Sequence, residues 1–332
     1  MRKTILSLLI ATVCITTALT VFKGDGLSAH ADAQSEIAME VTTGTVLAEG
    51  NADAKLPMAS TTKILTAIII IEDCALDQII KVPAEAAGVE GSSIYLKKDE
   101  EIDVRDLLYG LMLRSGNDAA AALAIHRSGS IEKFAEEMNA RAKSMGAENS
   151  NFKNPSGLPD NEHYTTARDL CKIACYAMNN PVFKDVVSTI NYNGKFRSFT
   201  NKNKMLRNYE GANGVKTGYT VKAGRCLVSS AERDGMDVVC VVLNCPDMYE
   251  RSAVLLDNCF NGYKLLKLDT NKVFMFDKVL CKLRNVSNIV VKSNKKIEYA
   301  IKPLSADAEN AVAQLEIYCE NSLIFSEKLY SI

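Results

Sequence analysis

Three short clusters in this 332-residue chain carry side chains suited to acyl transfer. The first is Ser60-Thr61-Thr62-Lys63. A spacing of three puts a hydroxyl and an amine on one helix face, one turn apart. Serine is a weak nucleophile until a neighbouring base takes its proton. Lysine becomes that base when burial and a second cation lower its pKa. The second cluster is Ser115-Gly116-Asn117, the only S-x-N in the chain. The third, Lys216-Thr217-Gly218, also occurs once. Its lysine can meet a substrate carboxylate, and its glycine lets a ligand approach the backbone. Each cluster has a bland reading. Ser-Gly-Asn suits any helix-helix corner, and edge strands often carry Lys only to block aggregation. S-x-x-K also recurs at Ser130/Lys133, Ser150/Lys153 and Ser293/Lys296, where solvated side chains explain it.

What separates Ser60 from those repeats is the element that must hold it. The apolar run Ile64–Ile71 follows directly. β-branched residues make a buried strand the rival, but length and a serine start favour a buried helix. Glu36–Val41 and Thr45–Leu47 flank a Thr43-Gly44 turn and read as a hairpin. Apolar spacing predicts helices over Asp103–Leu113, Asp118–Ile125, Ile131–Met145, from Thr165 or Thr166 to Met178, and over Tyr249–Tyr263. The second cluster thus falls between two helices. Gly214–Gly218, Cys226–Ala231 and Val238–Leu243 read as strands, which puts the third cluster on a strand. Strands packed against helices from both halves of the chain give an α/β layer structure. After Leu266, short alternating runs at Lys272–Phe276, Ile289–Val291, Tyr299–Ile301, Gln314–Tyr318 and Leu323–Phe325 suggest a small β-rich domain.

The order S-x-x-K, S-x-N, K-T-G, each in a fitting element, is the signature of penicillin-binding proteins and class A β-lactamases. The chain resembles the serine-type D-alanyl-D-alanine carboxypeptidases, the low-molecular-mass penicillin-binding proteins. The resemblance runs through Leu56–Lys63, Gly91-Ser92-Ser93, Leu113–Ala119, Asn154–Leu158, His163–Ala167, Asn203–Leu206, Gly214–Thr220 and Ala223-Gly224-Arg225, and covers roughly residues 35 to 265. It implies a β-lactamase/transpeptidase-like antiparallel sheet flanked by helices, followed by a small β-rich C-terminal domain. It implies that Ser60 attacks the penultimate D-alanine carbonyl of peptidoglycan stem peptides ending in D-Ala-D-Ala, and that Lys63 takes its proton. Ser115 would relay a proton to the departing amine, and Asn117 would orient Lys63 and the substrate amide. Lys216 and Thr217 would hold the terminal carboxylate beside Gly218. Backbone N–H groups of Ser60 and Tyr219 would form the oxyanion hole. Position 219 is Tyr where some members carry His. β-lactams would be inhibitors, and neither metal nor organic cofactor is implied. A class A β-lactamase would carry a deacylating Glu in an E-x-x-L-N loop, and no such pentad lies between Asn117 and Lys216. A silent peptidoglycan-binding protein would have lost Ser60, Lys63 or Lys216, and all three are present.

The rest of the chain sets the context. Arg2 and Lys3, the apolar run Ile5–Val21 and Ala29-His30-Ala31 read as a secretory signal peptide cut after Ala31. The expected organisation is therefore a signal over 1–31, a catalytic domain over 32–265 and a β-rich domain over 266–332, in an exported protein. Net charge is -1 and no Lys/Arg run is dense, so nucleic acid is not an expected partner. The last residues, Ser326–Ile332, show no basic amphipathic helix to serve as a membrane anchor. Nine of ten cysteines would survive cleavage, an odd number. Their placement in apolar runs suits small buried residues better than a disulfide framework. The cysteine spacings lack paired C-x-x-C knuckles and the three histidines are scattered, which argues against zinc.

Overall fold

The structure is a computed structural model, and it describes residues 33–304 and 311–332. The expected signal peptide lies outside the described residues. The first half of the chain opens with β1 (Ser35–Glu40) and β2 (Val46–Gly50), then a 3-10 turn (Ala59–Thr62) that runs straight into α1 (Lys63–Asp73). There follow β3 (Ile79–Lys81), β4 (Glu101–Asp103), α2 (Val104–Leu113), α3 (Asn117–Ser128), α4 (Ile131–Ser144), α5 (Ala167–Met178) and α6 (Pro181–Ser188). Next come the small hairpin β5 (Asn191–Asn193) and β6 (Ser198–Thr200), the single turn α7 (Met205–Asn208), β7 (Ala212–Thr220), β8 (Gly224–Arg233), β9 (Met236–Leu243) and α8 (Met248–Gly262).

The isoleucine-rich segment is helical. α1 is buried along Lys63–Ile70 because α2, α3, α4, α5 and α6 all touch it. A helix enclosed on every side can be apolar all round, and β-branched residues that cost some propensity are repaid in packing. Capping fixes where its neighbours begin. Asp103 accepts from the Asp106 amide at 2.7 Å to start α2, and Thr166 from the Asp169 amide at 3.0 Å to start α5. Ser130, one of the rival S-x-x-K serines, caps α4 by accepting from the Lys133 amide at 3.2 Å. Ser150 is tied to Asp169 at 2.8 Å, and Lys296 to Glu298 at 2.6 Å. None of these repeats forms a serine-amine pair.

The central sheet has the order β2-β1-β9-β8-β7 and is antiparallel throughout. β1 lies beside β9, so the first and last strands of the body pair and close the layer. α5 and α6 pack on one face of the sheet with α1 behind them, and α8 packs on the other. β7, which carries Lys216, is the edge strand.

The C-terminal region is all β: β10 (Tyr263–Leu268), β11 (Val273–Phe276), β12 (Val279–Lys282), β13 (Ser287–Lys292), β14 (Ile297–Pro303), β15 (Ala311–Cys319) and β16 (Ser322–Ser331). β10 pairs with β13, and the other five form a sheet ordered β11-β12-β16-β15-β14. β10 starts at Tyr263, directly after α8, and so crosses residue 265. Leu268, Cys281, Leu283, Ala313, Leu315, Ile317 and Leu329 form a core of their own there. In the body Cys171, Cys175, Cys226, Cys240 and Cys259 are buried thiols. Burial pushes Cys226 to about 11 and Cys259 to about 12, so they remain protonated at neutral pH.

Candidate active site

The three clusters, distant in sequence, meet at one cleft of ≈ 500 Å³ lined by Ser60, Ser92, Ser115, Lys202, Thr217, Gly218, Tyr219, Arg225, Met248 and Tyr249. Ser60 sits in the 3-10 turn that feeds α1, one turn before Lys63. Ala59, just ahead of it, has φ +49, a left-handed conformation rare for a residue with a Cβ. The turn holds this shape because Thr61 Oγ1 donates to the Met58 carbonyl (2.7 Å) and Thr62 Oγ1 to the Ala59 carbonyl (2.9 Å).

Lys63 is fully buried. Its Nζ lies 2.7 Å from Asn117 Oδ1, 2.6 Å from the Ser156 carbonyl and 3.1 Å from Ser60 Oγ. The first two partners can only accept. A neutral amine has two N–H bonds and one lone pair, so both N–H bonds go to those oxygens and the lone pair is left for the Ser60 hydroxyl. Burial, and next the Lys216 charge, hold Lys63 well below its ordinary amine range. Burial thus favours the neutral amine, and in that form the geometry turns its lone pair to the serine.

Ser115 occupies the corner between α2 and α3 with φ +65, and Asn117 opens α3. Asn117 Nδ2 donates to the Glu90 carbonyl at 2.7 Å, which turns its Oδ1 toward Lys63. Asp118, fully buried, accepts from Ser93 Oγ and from the amides of Ile94, Leu96 and Ala119 at 2.6–3.1 Å. That carboxylate ties the 93–96 loop to the start of α3 and so fixes the corner.

Lys216 and Thr217 sit on the edge strand. Lys216 is 2% exposed, and burial with the charge of Lys202 lowers its pKa to about 7. Gly218 passes so close to the nucleophile turn that a Cβ there would lie 3.1 Å from both the Met58 carbonyl oxygen and the Ser60 amide nitrogen. The Tyr219 side chain is 65% exposed. Neither Lys202 nor Arg225, which also line the cleft, has an ion-pair partner among the described residues, and no carboxylate lines it. An uncompensated positive cleft favours an anionic ligand.

Several contributors were not singled out from the sequence. Ser156 acts through its carbonyl, which no residue-type pattern reveals. Its loop is wound on Asn154, whose Oδ1 accepts from the amides of Ser156, Gly157 and Leu158 at 2.8–3.2 Å. Gly157 has φ +85, and a Cβ on it would fall 1.8 Å from the Ala59 carbonyl oxygen. The Asn-Pro-Ser-Gly composition was the available signal, and it indicates a loop without indicating its target. His163 is 4% exposed and lies under the same turn. Its Nδ1 accepts from the Lys153 amide (3.0 Å), and its Nε2 faces Thr62 Oγ1 (2.8 Å), which already donates to Ala59. Nε2 must therefore carry the proton. Burial lowers this histidine to about 4, so it stays neutral.

Comparison with known proteins agrees with this geometry. The D-alanyl-D-alanine carboxypeptidase family model matches residues 24–247. The chain is 35% identical over 284 residues to the D-alanyl-D-alanine carboxypeptidase DacF of Bacillus subtilis, covering 80% of this chain and 72% of that one. It is 38% identical over 228 residues to the D-alanyl-D-alanine carboxypeptidase of Streptomyces sp. K15, covering 62% and 78%. Among solved structures, the carboxypeptidase DacD of Francisella tularensis superposes with a TM-score of 0.74 at 25% identity, covering 96% of each chain. A point mutant of Streptomyces K15 DD-transpeptidase gives 0.66 at 34% identity, covering 69% of this chain and 97% of that one. The chain belongs to the D-alanyl-D-alanine carboxypeptidase family and is a penicillin-binding hydrolase of the serine type.

Proposed function

We propose that this enzyme removes the terminal D-alanine from peptidoglycan stem peptides through an acyl-enzyme on Ser60. The observation that carries the residue roles is the Lys63 amine, held by two acceptors with its lone pair toward Ser60 Oγ. Lys63 takes the hydroxyl proton as Oγ attacks the carbonyl carbon of the penultimate D-alanine. The oxyanion is received by backbone N–H groups of Ser60 and Tyr219, an effect of roughly 2.7–4 kcal/mol per donor in comparable sites. The C–N bond breaks as Ser115 passes a proton to the amine, and D-alanine leaves. Water then attacks the ester, returning Ser60 and freeing the shortened peptide. Asn117 orients Lys63 and the substrate amide. Lys216 and Thr217 hold the terminal carboxylate, and Gly218 lets the peptide lie against the strand. A β-lactam enters the same path and stops at the acyl stage, because its leaving group stays attached.

The chain reads as an exported enzyme with a signal peptide ending near Ala31, a catalytic domain over 32–265 and a β-rich domain over 266–332. Mass spectrometry of the protein with benzylpenicillin, then with a peptide ending in D-Ala-D-Ala, tests the assignment. The expected result is a stable penicilloyl adduct on Ser60, D-alanine release, and loss of both in Ser60→Ala with the fold intact. An adduct persisting in Ser60→Ala, or rapid penicillin hydrolysis without D-alanine release, would overturn it.

A further inference from the structure

The β11–β12 hairpin forms one edge of the C-terminal sheet and has two unlike faces. Phe274 and Phe276 pack inward against the C-terminal core, and Cys281 is fully buried. On the outer face Met275 pairs with Leu280, and Val273 with Lys282. Val273 is 52%, Met275 67% and Leu280 50% exposed. The turn residues Asp277 and Lys278 both have positive φ, 48° and 68°, the two-residue geometry that closes a tight hairpin and puts Lys278 at its tip.

The rest of the same sheet treats its outer face differently. There Lys302 pairs with Glu316 at 2.7 Å and donates to Tyr318 Oη at 2.8 Å, and Gln314 donates to Ser326 Oγ. That surface is covered by polar side chains bonded to each other. The hairpin's outer face has no such cover, and its rim is basic. Residues 271–286 hold Lys272, Lys278, Lys282 and Arg284 against Asp277 alone, a local charge of +3 (four cations, one carboxylate) in a chain whose total is -1. A further exposed apolar pair of this region, Leu323 and Ile324, follows Glu320, which is bonded to Lys295 at 2.7 Å.

We propose that the β11–β12 hairpin docks the enzyme on an anionic bilayer surface. Val273, Met275 and Leu280 enter the headgroup boundary while Lys278 and Lys282 meet lipid phosphates, and Lys272, over the Phe274 and Tyr299 rings, and Arg284, over the Tyr330 ring, add longer-range attraction. Apolar burial and attraction to acidic lipid add in this geometry. A second copy of the chain would bring the same +3 rim against itself, which like-charge repulsion opposes.

The chain contains no tryptophan, so one introduced indole is a local probe. Met275→Trp is placed in the full chain and mixed with vesicles of phosphatidylglycerol and phosphatidylcholine, or of phosphatidylcholine alone. Tyr95→Trp, at an 83% exposed position of the body, is the reference. The expected result is a blue shift of Met275→Trp emission with phosphatidylglycerol that weakens with salt, and none for Tyr95→Trp. Replacing Lys278 and Lys282 by Glu in the Met275→Trp chain should weaken vesicle affinity about tenfold or more, leaving D-alanine release from a soluble peptide unchanged. An unshifted Met275→Trp spectrum with phosphatidylglycerol overturns the proposal. So does an equal shift that grows with protein concentration in the absence of vesicles, which would assign the face to self-association.

Discussion

In the body two lysine amino groups are kept out of water: Lys63 is fully buried and Lys216 is 2% exposed, with no carboxylate bonded to either. In the C-terminal β region the arrangement is reversed. Lys302 lies in solvent against Glu316 and Tyr318, and the large apolar side chains of the β11–β12 hairpin face outward. Desolvating an amine without a counter-charge favours its neutral form and costs folding free energy. The body bears that cost at the cleft, where the proposed mechanism uses Lys63 as a base. The C-terminal region has no residue in the cleft and pairs Lys295, Lys296 and Lys302 with carboxylates at the surface, where ion pairs contribute little. Buried lysines without a carboxylate partner are therefore what separates the cleft from the C-terminal region.

Four substitutions break or sharpen that contrast, from the largest expected effect to the smallest. Lys63→Met removes the base, and acylation by benzylpenicillin should fall by roughly 10²–10⁴. A loss under tenfold, read by stopped-flow quenching with a labelled penicillin, would remove Lys63 from that role. In the wild type the acylation rate should rise with pH as Lys63 loses its proton. It should fall again as Lys216, near about 7 in the empty site, loses its charge.

Lys216→Met should lower kcat/KM on D-Ala-D-Ala peptides by about 10–100-fold, the loss of a charged hydrogen bond of ~1.5–3 kcal/mol. It should also stabilise the fold. The folded pKa of Lys216 lies below its ordinary 10.5, so the penalty is full below about 7 and disappears as pH rises to 10.5. The difference in Tm between variant and wild type should follow that window, reaching up to about 5 kcal/mol equivalent at neutral pH and closing near 10.5. A Tm gap independent of pH would show that the charge is not its cause.

Gly157→Ala cannot be accommodated without moving Ala59 or Ser156, since the new Cβ would fall 1.8 Å from the Ala59 carbonyl oxygen. It should cost about 2–4 kcal/mol by denaturant titration and slow acylation by shifting the Ser156 carbonyl off Lys63. An unchanged acylation rate would mean that this carbonyl does not hold the base. Lys302→Ala should leave activity unchanged and lower Tm only slightly, because Lys302 itself is half in solvent although Glu316 beneath it is covered. A clear fall in Tm would show that the C-terminal pairs do more than cover a surface.

The sequence was most legible where chemistry needs side chains at fixed spacing. Ser60/Lys63, Ser115/Asn117 and Lys216/Thr217/Gly218 were all found as unique or specially placed clusters, and the structure gathers them at one site. Long elements were legible too: α5 by its helical apolar spacing, β8 and β9 by their apolar runs. Short ones were not. The β3–β4 and β5–β6 hairpins have three-residue strands, too brief for any period, and β10 was hidden in the continuation of α8. His163 was noted only as part of a matching stretch, because its function here is to hold Thr62, a residue 101 positions away.

By itself the sequence determined which residues can react, the order in which they occur, and the family they fit. Those follow from side-chain chemistry and local spacing. Only the tertiary structure decided that the Ser156 carbonyl and Asn117 take both Lys63 N–H bonds, that the Asp118 carboxylate fixes the Ser115 corner, and that Lys216 lies close enough to bias Lys63. Each of these depends on backbone groups or on long-range burial. A carbonyl is the same in every residue, and the dielectric around an amine is set by whatever the whole fold packs against it.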